Sequence, residues 1–217
     1  MREFAAAQTR RATDPADDPR PGLQRFFDAV RGADKTAAMQ YWHDDLRDLE
    51  GERRKYIGDL VDHLVDEMIA ESRLEQALAR KMPGVRREEG QVGQVGGLTP
   101  TADELAKAQF TLYRRLAVVN WGRDKNSGFP MVYENWGNQP GWKISKRQWY
   151  ATTHSSVGDS LLLGGFSAKG KDATTKEILA GKFKTIEEVH KAYVRHYAEA
   201  IDAEKAKRGA ATAPVKR

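Results

Sequence analysis

The chain has 217 residues, of which 40% are hydrophobic and 31% are charged, and its formal net charge is +5. It contains no cysteine, which excludes disulfides, thiolate metal sites and cysteine nucleophiles. No apolar run approaches the roughly 20 residues that a helix needs to cross a bilayer, which excludes a spanning protein but leaves a position beside a membrane open.

The positive charge belongs to the second half of the chain. Residues 1–109 carry 17 basic and 21 acidic residues, whereas residues 110–217 carry 19 and 10, a surplus of nine. Such an asymmetry indicates an anionic partner such as RNA, DNA or a lipid headgroup surface. An ordinary soluble protein surface carries similar surpluses, so both interpretations stay open.

Residues 1–22 are predicted to form an extended arm, because prolines and acidic residues alternate there and nothing can build a core. Residues 1–13 combine three arginines and a run of alanines with a single acidic residue, and this composition loosely resembles an organelle transit peptide. A matrix-side mitochondrial location is therefore one option for a protein otherwise expected to be intracellular. A short basic arm without a targeting role is the other option.

Residues 23–82 are predicted to form a long helical region. Leu23 to Arg31 is a short amphipathic helix that Gly32 can end, and Asp34 can cap the next helix. From Lys35 to Met82, apolar side chains recur every three or four residues. The apolar stripe widens over the second half of that segment, which predicts deeper burial there.

The length of this segment creates a conflict with the size of the protein. At about 1.5 Å per residue, an unbroken helix from Lys35 to Met82 would be roughly 70 Å long, whereas a compact chain of this length is roughly 45 Å across. Gly51 lies in a charged passage and is the predicted position of a kink or turn. Two alternatives remain: one helix, straight or bent, or a helical hairpin.

Residues 83–100 are predicted to be a glycine-rich linker. The glycines recur at a spacing similar to that of a phosphate-binding loop, but the segment follows a helix rather than a strand, so that interpretation is rejected. Residues 101–120 are predicted to form a helix, which the capping box of Thr101 and Glu104 would start.

Residues 121–173 are predicted to be an irregular segment rich in Trp, Gly and Asn. No period of 2 or 3.6 organises its aromatic side chains, and a short strand over 160–166 is one option within it. Long irregular segments in compact domains are usually functional. Six aromatic residues are therefore predicted to anchor a protein interface, namely Trp121, Trp136, Trp142, Trp149, Tyr133 and Tyr150.

Two other interpretations of the aromatic segment stay open. The aromatic side chains can form a local core beneath a long loop. Alternatively, they can stack on unpaired bases while neighbouring cations hold the phosphates. The cations predicted for such anion or nucleic-acid contacts are Arg123, Lys143, Lys146 and Arg147.

A stretch within this segment, Gly165 to Asp172, comes within one residue of the nucleotide-binding P-loop pattern. Its last position is Asp172, where the pattern needs Ser or Thr for magnesium. No alternation of strands and helices surrounds it, so a basic surface turn is predicted instead.

Residues 174–208 are predicted to form two helices. Capping boxes at Thr174 with Glu177 and at Thr185 with Glu188 would start them, and Gly181 lies between them. Residues 209–217 form a basic, alanine-rich tail that needs a partner to become ordered.

The sequence shows no convincing catalytic constellation. Glu187 and His190 have the spacing of a carboxylate-bridged di-iron bundle, but the chain contains no second Glu-x-x-His pair. His43 beside Asp44 and Asp45 lacks the third partner that would orient a catalytic base. No catalytic, cofactor or metal residue is therefore predicted.

Together these patterns predict a mainly α-helical, non-catalytic structural or accessory subunit of a large multiprotein assembly. A respiratory or ATP synthase complex, a virion and a ribosome are the candidate assemblies. The long helix, the tryptophan segment and both tails would pack on neighbouring subunits. The alternative is an RNA- or DNA-binding protein of ribosomal type acting through residues 110–217, and an enzyme of unrecognised type is the third hypothesis.

Overall fold

The computed structural model describes residues 18–84, 99–120, 128–134, 141–151 and 164–211. Its helices are α1 (Arg20–Arg31), α2 (Lys35–Met39), α3 (Gly51–Lys81), α4 (Ala102–Lys107), α5 (146–151), α6 (Gly164–Leu179) and α7 (Ile186–Ala211). Its strands are β1 (Trp42–His43), β2 (Gln109–Tyr113), β3 (Leu116–Asn120), β4 (Phe129–Glu134) and β5 (Gly141–Ser145). Predictions for residues 1–17, 85–98 and 212–217 lie outside the described residues.

The strands form one mixed sheet in the order β1-β5-β4-β3-β2. From β2 to β5, each strand runs antiparallel to its neighbour. Strand β1 lies parallel to β5 at the far edge. The predicted mainly α fold is therefore wrong, and the protein mixes helices with a five-stranded sheet. Strands occupy parts of both the predicted 101–120 helix and the predicted irregular 121–173 segment.

The sheet escaped prediction because several of its strands are apolar on both faces. In β3, Ala117 and Val119 face the core, while Leu116 and Val118 lie on the opposite face. Such two-sided strands lose the clean alternation that identifies a half-buried strand. The predicted start of α4 is confirmed, since Thr101 and Glu104 form both bonds of the capping box, but the helix ends at Lys107.

Neither alternative for residues 35–82 is correct. Helix α2 ends at Met39, Trp42 enters the sheet beside Ile144, and α3 begins only at Gly51, whose φ is +59°. Helix α3 has 31 residues and is therefore about 46 Å long, which matches the width of a compact chain of this size. The predicted deepening of burial is confirmed, because Glu67 to Ser72 are all buried.

The main core lies between the inner face of the sheet and helices α1 and α3. The predicted apolar face of α1 is confirmed by four side chains with no exposed surface, Leu23, Phe26, Phe27 and Val30. This helix begins at Arg20, so residues 20–22 are not part of an extended arm. A Cβ at Gly22 would lie 2.5 Å from the Trp142 carbonyl oxygen, so glycine lets α1 lie directly on β5.

A second core cluster joins the C-terminal half of α3 to α6 and α7, and it centres on Leu74, Ala77, Ile178 and Val189. Helix α6 contains the stretch resembling a P-loop, so the predicted surface turn is wrong. The predicted strand over 160–166 is wrong for residues 164–166, which are helical, and its first residues lie outside the described part of the chain.

The two predicted capping boxes of this region have different outcomes. Thr174 lies inside α6 and donates a hydrogen bond to the Gly170 carbonyl (2.8 Å), so it caps no helix. Thr185 and Glu188 form both capping bonds at 3.3 Å, and Thr185 directly precedes α7 as predicted. Within the described residues, none of the helices combines the length and apolarity that a bilayer crossing requires.

Glycine at position 170 allows α6 and α7 to approach closely. A Cβ there would lie 3.2 Å from the Tyr197 nitrogen and 3.3 Å from its Cα, and these backbone atoms cannot move without moving α7. We expect Gly170→Ala to lower the free energy of unfolding by about 1–2 kcal/mol, because overpacking exceeds the gain in helix propensity. Urea denaturation followed by circular dichroism measures this change.

Gly58→Ala in α3 is the matched control, since no atom lies within 4 Å of the Cβ it would add. It should raise stability by up to about 1 kcal/mol. Equal stabilisation by both substitutions would contradict the close packing of α6 on α7.

Candidate partner-binding site

The structure places the described tryptophans of the aromatic segment inside the chain's own core. Trp142 is 7% exposed and Trp149 is 5% exposed. The Trp149 ring centroid lies 5.7 Å from that of Trp42, whose place in the sequence is the start of the predicted apolar stripe of residues 35–82. Packing within the chain therefore accounts for both side chains, and their role at an interface stays a prediction. Trp121 and Trp136 lie outside the described residues.

The two predicted tyrosines are half-buried against the same core. Tyr133 lies 5.4 Å from Trp142 between ring centroids, and Tyr150 lies 6.3 Å from Tyr56. Both pairs have the edge-to-face geometry that aromatic rings favour. These contacts hold the predicted interface residues together, but they do so within one chain.

The predicted phosphate-binding cations are largely engaged within the chain. Lys143 forms an ion pair with Glu134 at 2.7 Å, and Arg147 forms one with Asp48. The hydrogen bond from Arg147 lowers the pKa of the Asp48 carboxyl below its ordinary value. Lys146 is half-buried, and Arg123 lies outside the described residues. Of the three described cations, Lys143 and Arg147 therefore already have carboxylate partners.

A cavity of about 500 Å³ lies beside the β1 edge of the sheet, and it is lined by His43, Asp44, Asp45, Arg47, Asp48 and Glu134. Asp44 pairs with Arg54 at 3.0 Å. Asp45 accepts bonds from the Ser145 hydroxyl and the Arg147 amide, which lie at the start of α5. The Asp44 and Asp45 carboxylates therefore already have partners within the chain. Across the described ranges, no group of His, Asp and Glu side chains is arranged to hold a metal ion.

A buried polar network lies between α3, α6 and α7. The Lys171 ammonium is 2% exposed, contacts the Glu67 carboxylate and lies 3.4 Å from Glu71 Oε2. The Ser167 hydroxyl donates to Glu67 Oε1 (2.7 Å) and lies 2.8 Å from the Tyr193 hydroxyl oxygen. Burial alone lowers the pKa of Lys171, but the charges of Glu67 and Glu71 more than offset it and raise the pKa.

This network is a structural contact between helices. A lysine with a raised pKa stays protonated at neutral pH and is a poor nucleophile or base. It is also enclosed, since Glu71 is 0% exposed. In the sequence, the sign of this network was a pair of glutamates four residues apart, Glu67 and Glu71, within the apolar stripe of residues 35–82.

The turn between β2 and β3 is an exposed feature of the described part of the sheet; we call it the hairpin tip and define it as Tyr113–Leu116. All four of its residues are exposed, including two large apolar side chains, Tyr113 at 44% and Leu116 at 39%. These two residues are direct cross-strand partners, and Val132 and Lys143 continue the same row across the outer face of the sheet. The tip therefore presents adjacent apolar side chains.

The arginines of the hairpin tip are distinctive in conformation and charge. Arg114 has φ of +58°, a left-handed conformation that costs a non-glycine residue roughly 1–2 kcal/mol. The Arg115 carbonyl accepts a hydrogen bond from the Tyr133 amide at 2.9 Å, which fixes the turn against β4. In the described part of the chain, neither guanidinium forms an ion pair with a carboxylate.

The hairpin tip adjoins the longer open edge of the sheet. Strand β1 exposes an edge of only two residues, whereas β2 has five and contains no charged residue and no proline. Natural sheets usually protect an edge with charges, prolines, bulges or short strands. Among the described elements, only β3 packs extensively on β2. The hairpin tip and the β2 edge are the candidate site.

Sequence reasoning missed this site because it assigned residues 101–120 to a helix. The signal that was present is the alternation of Phe110 and Leu112 with more polar neighbours, followed by two consecutive arginines. No family model matches the chain, and neither a curated protein nor a solved structure shows significant similarity to it.

Proposed function

We propose that the protein is a non-catalytic accessory subunit that binds a neighbouring protein chain through its hairpin tip. The exposed row of Tyr113 and Leu116 beside two arginines carries the proposal. Tyrosine and arginine are enriched in protein interfaces, where an apolar centre excludes water and charges orient the partner. The candidate assemblies are those that the sequence suggested.

The conformation of Arg114 supports this proposal. Glycine would occupy the left-handed turn position without the steric cost that arginine incurs. Strained residues persist at functional sites when their side chains contribute elsewhere. Among the described residues, no carboxylate forms an ion pair with the exposed Arg114 side chain, and this is consistent with a contact outside the chain.

Nucleic-acid binding through residues 110–217 receives less support. Two of its predicted cations, Lys143 and Arg147, already pair with carboxylates. The exposed row at the hairpin tip is apolar rather than a set of stacked aromatic rings. We therefore treat nucleic-acid binding as an outcome of the test.

The test is affinity purification of the tagged protein from its native source, with and without nuclease. The variant Tyr113→Ser with Leu116→Ser removes the apolar row. Leu179→Ser with Val194→Ser is the matched control, because these side chains are 43% and 49% exposed on α6 and α7. We expect a stoichiometric, nuclease-resistant set of proteins with the wild type and the control variant, and its loss with the tip variant.

Recovery that requires nucleic acid would contradict the proposal and favour the alternative. The affinity of binding through phosphate contacts would also fall steeply between low and moderate salt, whereas the affinity of an apolar contact would change much less. Unchanged recovery with the tip variant would remove the hairpin tip from the interface.

A further inference from the structure

We propose that the partner presents an extended segment with acidic ends, which adds to the β2 edge as a further strand of the sheet. This inference rests on the proposed function and specifies the chemistry of the partner. Strand addition is an established mode of recognition, in which main-chain hydrogen bonds supply affinity and alternate side chains supply specificity.

Among the described residues, the outer backbone edge of β2 has no partner. Strand β2 is the last described strand of the sheet, and it pairs there with β3 alone, from Gln109 opposite Asn120 to Tyr113 opposite Leu116. In an antiparallel pair, alternate residues of an edge strand direct their N–H and C=O groups away from the sheet. Within the described residues, no other backbone group bonds to the β2 strand.

The side chains of β2 define one face of the incoming segment. Phe110 and Leu112 are half-buried and pack on the main core from the edge. An added strand would place alternate side chains beside them on the same face. Apolar residues at those positions would cover the exposed remainder of both side chains and extend the core outwards.

The charges at the two ends of β2 favour an acidic partner. Lys107 is exposed just before β2, and Arg114 and Arg115 are exposed just after it, so both ends of the edge are positive. Acidic residues flanking the added segment would meet these charges. A second copy of this chain fits poorly, because antiparallel self-pairing centred on Thr111 would bring Lys107, the last residue of α4, close to the hairpin-tip arginines of the other copy. Like charges in that position are destabilising.

The experiment uses the full chain and short random peptides displayed on phage as the probe. We expect the enriched peptides to alternate apolar and polar residues and to carry Asp or Glu at their ends. Hydrogen exchange of the protein with an enriched synthetic peptide should then slow at the backbone amides of β2. Enrichment of basic or helical peptides, or the absence of enrichment, would overturn the proposal.

Charge reversal provides the second arm. Arg114→Glu with Arg115→Glu should weaken binding of an enriched acidic peptide by about tenfold or more, because attraction becomes repulsion. It should strengthen binding of the same peptide with lysine at its ends. Arg53→Glu with Lys55→Glu is the control, since both residues are exposed on α3 away from the sheet edge. Equal losses from both double variants would overturn the proposal.

The outcomes separate this inference from the proposed function. If the native assembly depends on Tyr113 and Leu116 but β2 amides exchange as fast with the partner as without it, the subunit function stands and strand addition fails. If peptides protect β2 but no native assembly forms, the proposed function fails and the edge remains a peptide site. Concentration-dependent dimerisation that protects β2 would contradict the heterologous partner.

Discussion

Replacing Lys171 with methionine should lower the free energy of unfolding by about 3–5 kcal/mol, because removal of one partner leaves buried charges uncompensated. The Lys171 ammonium is 2% exposed and lies between Glu67 and Glu71. Because methionine fills a similar volume, the loss of stability would come from the removed charge and not from a cavity. Chemical denaturation of the purified variant at neutral pH measures it.

Lys176→Met is the matched control, since Lys176 is exposed on the same helix. It should change stability by less than about 0.5 kcal/mol. The combined variant Lys171→Met, Glu67→Gln and Glu71→Gln should recover much of the loss, because no charge then remains buried. A loss below about 1 kcal/mol for Lys171→Met alone would show that water reaches the network.

The pH dependence of the same variant gives a second readout. Burial lowers the pKa of Lys171, but the negative charges of Glu67 and Glu71 outweigh that effect. The net result is a pKa above the ordinary value of 10.5. The contribution of Lys171 to stability is therefore fully present below about pH 10.5 and is lost as the pH rises through the folded-state pKa. Wild-type stability should fall more steeply than that of Lys171→Met in this alkaline range.

Replacing Trp142 with alanine should lower the free energy of unfolding of the isolated chain by about 3–5 kcal/mol. Its side chain is 7% exposed, packs edge to face on Tyr133 at 5.4 Å between ring centroids, and belongs to the main core. Loss of the indole leaves a cavity that the surrounding sheet and α1 cannot close completely. Thermal and urea unfolding of the purified protein measure the effect.

Tyr113→Ala is the control for this prediction, because Tyr113 is 44% exposed on the same sheet. It should change the stability of the isolated chain by less than about 0.5 kcal/mol. If Trp142→Ala left the monomer as stable as the wild type and weakened only its assembly, Trp142 would be an interface anchor, as the sequence suggested. The measurement therefore separates the core interpretation from the interface interpretation.

Sequence reasoning was most accurate where local chemistry determines structure. The apolar face of α1, the capping bonds at Thr101 and Thr185, and the deeper burial in α3 depend on residues within a few positions of one another. Those patterns are visible in any short window. Thr174 shows the limit, because the same Ser/Thr and Glu spacing occurs inside a helix, where the hydroxyl bonds to a carbonyl instead.

The sheet and the candidate site depend on pairings that no short window contains. Trp42 lies opposite Ile144, and Glu67 contacts Lys171, although each pair is separated by about a hundred residues. An open edge is likewise a property of strand order, and the sequence of β2 does not reveal that β3 is its one neighbour among the described strands. Only the topology makes Arg114 and Arg115 neighbours of the edge strand of the described sheet.

Helix α3 contributes to both core clusters, and its partners are synthesised late. The main core requires β5, and the second cluster requires α6 and α7, which follow α3 by some hundred residues. Contacts of such sequence separation slow folding. In a ribosome-bound chain that has reached only residue 163, Glu67 and Glu71 lack their counter-ion, Lys171. Leu74 likewise lacks the side chains of α6 and α7 that bury it. The second cluster therefore cannot form until the chain has been synthesised through α6 and into α7, whereas every residue of the main core has been made once residue 150 is reached.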